Sequence, residues 1–88
     1  MGYKIIVSPR AQKEIENAID YYALYSDTAS KHFLTELEKT YDTLTANPFF
    51  AVCYKQIRAL KIKRFPYSVF YTLNETNKTV VILACFHK

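Results

Sequence analysis

The chain has 88 residues, half of them hydrophobic, with a single Gly and a formal charge of +4. That length makes one domain whose modest core buries only about 60–65% of the unfolded surface, and the apolar content excludes a disordered chain. The charge is uneven: residues 1–50 carry five Lys/Arg against seven Asp/Glu, whereas residues 51–88 carry seven against one, Glu75.

In chain order, "YKIIV" (3–7) is a β-branched run that predicts a first strand. Ser8 can cap the helix that follows, and Pro9 suits its first position, where a missing N–H costs nothing. Ala11, Ile15, Ala18, Ile19, Tyr22 and Tyr25 then recur at three- and four-residue spacing, which predicts an amphipathic helix. Asp27 or Thr28 opens a second helix with an apolar stripe of Phe33, Leu34, Leu37, Tyr41 and Leu44, halted by Asn47-Pro48. The short link between them predicts an antiparallel helical hairpin.

Residues 57–63 read as a strand with Leu60 and Ile62 on one face and Lys61 and Lys63 on the other. "RFP" (64–66) makes a bend, 67–73 a central strand, "NETNK" (74–78) a turn, and 79–86 a last strand, apolar on both faces. The expected fold is α+β in the order β-α-α-β-β-β, a helical hairpin packed on a small, mainly antiparallel sheet. Residues 1–88 are expected to form one domain without repeats or linkers.

Cys53 and Cys85 lack metal-ligand spacing, and no secretory leader is expected. They read as free thiols in a reducing cytoplasm, Cys85 as a small buried hydrophobe. The run "VVILACF" (80–86) is far shorter than the ~20 residues of a membrane-spanning helix. There is no Gly-rich phosphate loop and no nucleophile elbow, so ATP-dependent and triad mechanisms are excluded, and no cofactor or metal is expected.

One chemistry remains open to these residues: metal-independent cleavage of RNA through its own 2′-hydroxyl. It needs a base, cations for the charge on the phosphate, and an acid for the leaving oxygen. Lys61 and Lys63 could clamp a phosphate, Arg64 lies beside them at the bend, and His87 has a suitable intrinsic pKa. Tyr67 or Tyr71 could stack on a base. Lys55, Arg58 and Lys88 extend the cationic surface as candidate contacts for a nucleic acid or protein target. The plainer readings are that Tyr71 and Phe70 are core, that His87 and His32 are solvated, and that the cations guard an exposed sheet edge.

"IIVSPRAQKEIENAIDYY", "LKIKRFPYSVFYTL" and "VVILACFHK", in this order and spacing, resemble the RelE/ParE superfamily of bacterial type II toxin–antitoxin toxins. The resemblance implies a growth-inhibiting toxin neutralised by a cognate antitoxin, as a homodimer or a toxin–antitoxin hetero-oligomer. It also implies one of two activities: RelE-like cleavage of mRNA on the ribosome, or ParE-like poisoning of DNA gyrase. Lys61 and Lys63 match the paired basic positions of the nuclease branch, and His87 or Lys88 falls where its members place an acid/base or a phosphate-binding cation. Those members usually carry "YR-apolar-apolar-Y" in the next strand; here it is "YSVFY" (67–71), with Ser68 in place of Arg. Losing one charge-stabilising donor costs about 10²–10³ in rate. The ParE-like reading needs a binding surface and no acid/base pair, and it is preferred. The alternatives are an mRNA endonuclease using Lys61, Lys63, Arg64 and His87, and a non-toxic member that only binds its antitoxin.

Overall fold

A computed structural model describes residues 2–50 and 52–87. Its elements are β1 (Lys4–Val7), α1 (Pro9–Ala23), α2 (Asp27–Ala46), β2 (Val52–Tyr54), β3 (Ile57–Lys61), β4 (Tyr67–Asn74) and β5 (Thr79–His87). The strands form one sheet in the order β1-β5-β4-β3-β2. β1 runs parallel to β5 and every other neighbouring pair is antiparallel. The architecture is thus the expected α+β one, with one strand more than the sequence suggested. The extra strand, β2, is three exposed residues without apolar alternation, so it carries no periodic signal.

The helix starts follow from their caps. The Ser8 hydroxyl accepts the Ala11 N–H at 3.2 Å, and Ser26 accepts that of Ala29 at 3.0 Å. α1 stops at Ala23, short of the expected Tyr25, because Ser26 must leave the helix to cap α2. Tyr25 is therefore 70% exposed and lies against the Tyr21 ring at the hairpin tip; Leu34 is likewise 43% exposed. Both had been expected in buried stripes. The rest of those stripes faces the sheet: Ala11, Ile15, Ala18, Phe33, Leu37 and Leu44 meet Ile62, Val69, Tyr71, Val80, Ile82 and Cys85 in one core.

The helices cover one face of the sheet. Phe70 and Phe86 lie on the other, stacked with centroids 4.4 Å apart and rings inclined by 15°. A bulge at this point (Phe70 pairs with Ala84, Tyr71 with Ile82) leaves Leu83 as the extra residue on β5.

Where β1 ends, α1 completes the edge of β5. The Ser8 N–H donates to the Ile82 carbonyl at 2.9 Å, and its hydroxyl to the Leu83 carbonyl at 3.2 Å. Six residues further on, the Glu14 carboxylate accepts the Cys85 N–H at 2.9 Å. The side chains of Ser8, the cap of α1, and of Glu14 within it thus stand in for a further strand, satisfying backbone groups that would otherwise be orphaned.

Candidate functional site

The cations that dominate the C-terminal half are held on a tight turn. Ile62 donates its N–H to the Tyr67 carbonyl at 2.8 Å, and Phe65 donates to the Ile62 carbonyl at 3.2 Å. Ile62 is wholly buried, and the Phe65 ring packs edge-on against Tyr22 of α1 and Phe33 of α2, with centroids 5.0 and 5.2 Å apart. These two anchors leave Lys63 and Arg64 no room inside, and both are exposed beside Lys61, the last residue of β3. Lys61 and Lys63 are exposed on either side of the buried Ile62, as alternation predicts, although β3 ends at Lys61 and Lys63 belongs to the turn. Arg64 has a φ of 73°, in the left-handed region that favours Gly, at a cost of about 1–2 kcal/mol.

Between this turn and α2 runs a two-lobed groove. A lobe of about 510 Å³ has Tyr22 and Phe65 as its aromatic lining, with His32 and Arg64 at its margin. A lobe of about 250 Å³ is lined by Phe50 and Leu60 and flanked by Lys61 and Lys63. Glu36 and Lys39 line both lobes, paired with each other at 3.7 Å.

His87 stands elsewhere. It pairs with Tyr67 across the sheet, and their rings are 5.7 Å apart. Tyr67 packs on Tyr22 and Phe33 of the two helices, so this pair lies on the helix side. Lys61 pairs with Ser68 and Ser68 with Phe86, a row on the face opposite the helices, next to the Phe70–Phe86 stack. Directly paired residues share a face and neighbours along a strand oppose. The register starts Lys61 and His87 from opposite faces, but Lys61, beyond the stretch of β3 that pairs with β2, also lines the lobe against α2, whereas His87 lines neither lobe.

Arg58 lies three residue steps, or about 10 Å, along β3 from Lys61, and Lys55 lies beyond it in the β2–β3 turn. Lys55 turns the β2–β3 hairpin with a φ of 50° and holds its ammonium 5.3 Å from the Tyr54 ring centre. The guanidinium of Arg58 donates to the Phe50 carbonyl and lies over the Phe49 ring. Its sheet partner Tyr71 is a correction to the sequence reading. Tyr71 is wholly buried and its hydroxyl donates to the Pro48 carbonyl at 2.8 Å, so it presents nothing to a target. Arg58 and Tyr71 together pin the 48–50 segment, whose carbonyls need partners once Pro48 is buried. Tyr67 is half-buried, and burial, followed by the nearby Cys85, raises its pKa. Lys88 lies outside the described residues.

The groove members Tyr22, Phe65 and Lys39 were not among the candidates read from sequence. The available signal was Phe65 itself, an aromatic residue placed in a turn between two strands. Both Cys residues are free, Cys53 exposed and Cys85 buried. Burial, with the Glu14 carboxylate adding to it, pushes the Cys85 thiol up to about 12. Among the described residues there is no group of three or more His, Cys, Asp or Glu placed to hold a metal ion. Nor is any helix among them long and apolar enough to cross a membrane.

Residues 5–88 match the family model of the ParE toxin of type II toxin–antitoxin systems, parDE. The fold is similar to a chain from the chromosomal ParDE toxin–antitoxin system of P. aeruginosa, with a TM-score of 0.80 at 16% identity over 97% of this chain and 95% of that one. It is also similar to a chain of the toxin–antitoxin complex RelBE2 from Mycobacterium tuberculosis, with a TM-score of 0.67 at 16% identity over the whole of both. No curated protein sequence matches this one. A family match over nearly the whole chain, on a fold shared with chains of both systems, makes this protein a member of the ParE toxin family of type II toxin–antitoxin modules.

Proposed function

We propose that residues 1–88 act as one cytoplasmic toxin domain that inhibits growth by binding DNA gyrase, and that a cognate antitoxin neutralises it. The observation that carries this reading is that His87 is not among the residues lining the groove that Lys61, Lys63 and Arg64 border. Concerted proton transfer and charge stabilisation at one phosphate need the acid/base and the cation within hydrogen-bond reach of the same group. Here His87 is held against Tyr67 outside the groove, and the row beside Lys61 continues with Ser68 and Phe86, neither of which is charged. A poison that works by contact needs no such convergence. The ParE family match supports the same reading.

The test is tightly induced expression in bacteria, with transcript 5′ ends and gyrase-linked DNA breaks mapped in the same culture. Trapped breaks with intact messages are expected. Codon-phased cuts in translated messages would overturn the proposal and return Lys61, Lys63, Arg64 and His87 to the role of catalytic candidates. The variant Ser68→Arg sharpens the comparison: it is expected to add no RNA cleavage, whereas a latent nuclease site would gain from it.

A further inference from the structure

We infer that the end of the sheet formed by the β2–β3 and β4–β5 turns is a binding site for a single-stranded nucleic acid. Of the seven cations in residues 51–88, Lys61, Lys63 and Arg64 stand at the β3–β4 turn and Lys88 lies outside the described residues. The other three, Lys55, Arg58 and Lys78, gather at this opposite end, and each lies against an aromatic ring. Lys78 is 5.9 Å from the centre of Tyr3, Arg58 5.7 Å from that of Phe49, and Lys55 5.3 Å from that of Tyr54. Tyr3 and Phe49 meet edge to face, 5.9 Å apart, so Lys78, Tyr3, Phe49 and Arg58 form one continuous row. Arg58 and Lys55 then line a recess of about 280 Å³ together with Gln56 and Glu75.

Rings interleaved with cations suit a single strand, whose bases stack on aromatic faces while its phosphates meet the charges. The rings have surface to offer: Phe49 is 50% and Tyr54 61% exposed. An acidic peptide would use the cations and leave both rings in water. The recess adds groups that read base edges. The Glu75 carboxylate repels a phosphate but can accept from the amino group of cytosine, and the Gln56 amide matches an adenine edge. A turn of α-helix, about 10–12 Å across, is too wide for such a recess, whereas a splayed base is flat. Lys55 and Lys78 also share a left-handed backbone, with φ of 50° and 51°. Gly would adopt it more easily, and strain of this kind persists at sites where the side chain is needed.

The inference goes beyond the toxic target and does not rest on it. The probe is a fluorescein-labelled oligodeoxycytidylate of twelve nucleotides, and its controls are an abasic strand of the same length and a twelve-residue oligoglutamate. Anisotropy gives affinity, and amide shifts of the labelled protein give location. The cytidylate is expected to bind, with shifts concentrated at residues 49–58 and 73–78, and at least tenfold tighter than either control. Its affinity should fall with salt at a log–log slope of about −2, as three phosphate contacts to a single strand require. The double variant Tyr54→Ser/Lys78→Gly removes one ring and one cation. It is expected to weaken binding about tenfold while keeping its melting temperature, since both side chains are exposed and Gly accepts the backbone of Lys78. An oligoribocytidylate of the same length separates the two sources of such a strand: tighter binding of either one supports the inference and names it as DNA or RNA. Three results would each overturn the inference: no binding, equal binding of the abasic strand, or shifts centred on residues 60–65. Tighter binding of the oligoglutamate would also overturn it and assign the row to an acidic protein. Strand binding without toxicity would leave this inference standing, and a gyrase poison that ignores the strand would leave the gyrase reading standing.

Discussion

Replacing Glu14 by Ala removes the acceptor of the Cys85 N–H and leaves a part-buried donor of β5 unpaired. A hydrogen bond to a charged group is worth about 1.5–3 kcal/mol, and the Glu14 side chain is 24% exposed, so water recovers part of the loss. Ala also gains a few tenths of a kcal/mol in helix propensity, giving a net cost of about 1–2 kcal/mol. For a domain of this size that lowers the melting temperature by roughly 4–16 °C. The competing explanation is the ion pair with Arg10 at 3.4 Å, but the Arg10 side chain is 71% exposed and such pairs contribute about 0–1 kcal/mol. Glu14→Gln keeps an acceptor without the charge and is expected to cost less than half as much as Ala. Arg10→Ala is expected to cost about 0.5 kcal/mol or less. Thermal and urea unfolding of the three variants decides the matter. If Arg10→Ala costs as much as Glu14→Ala, or if Gln is no better than Ala, Glu14 does not act as the surrogate partner of the β5 edge.

Three further outcomes are expected. Tyr71→Phe leaves the buried Pro48 carbonyl without its donor and should cost about 1–2 kcal/mol in urea unfolding; no loss would mean that water replaces the hydroxyl. Native protein treated with iodoacetamide at neutral pH should be alkylated at the exposed Cys53 and spared at Cys85, as read by mass spectrometry of the digested chain. Stability should fall from about pH 9 upward, because burial raises Cys85 from 9.0 to about 12 and Tyr41 from 10.0 to about 12. Both groups are neutral when protonated, so the unfolded chain sheds their protons first. The stability is therefore full below pH 9 and is lost on rising towards pH 12, by up to about 1.4 kcal/mol per pH unit for each group. Cys85→Ala should delay the onset to about pH 10, and an unchanged onset would refute the assignment.

The elements that sequence revealed are those whose burial is periodic. Ala11, Ile15 and Ala18 mark one helix by spacing alone, and Ile62 buried between exposed Lys61 and Lys63 follows from strand alternation. β2 was not legible because Val52, Cys53 and Tyr54 are all exposed and are held by pairing with β3 rather than by a core. Tyr71 could be read either as core or as a stacking surface, since its hydroxyl finds Pro48 only 23 positions earlier in the chain. Arg58 looked like a free cation for a similar reason: its partner is a backbone carbonyl, which leaves no mark in a sequence. The groove depends on Phe65 reaching both helices, a tertiary contact that no local pattern announces.

The parallel pairing of β1 with β5 has a consequence for synthesis. Ser8 and Leu83, joined by a hydrogen bond, are 75 residues apart. At 5–20 residues per second the ribosome takes about 4–15 s to deliver the partner of β1, whereas helices form within about a microsecond. The hairpin of α1 and α2 can form early, but β1 waits through that interval with neither edge paired. A nascent chain therefore lacks a complete sheet until β5 has been made, and during those seconds β1 is the segment most open to capture by a chaperone or another strand.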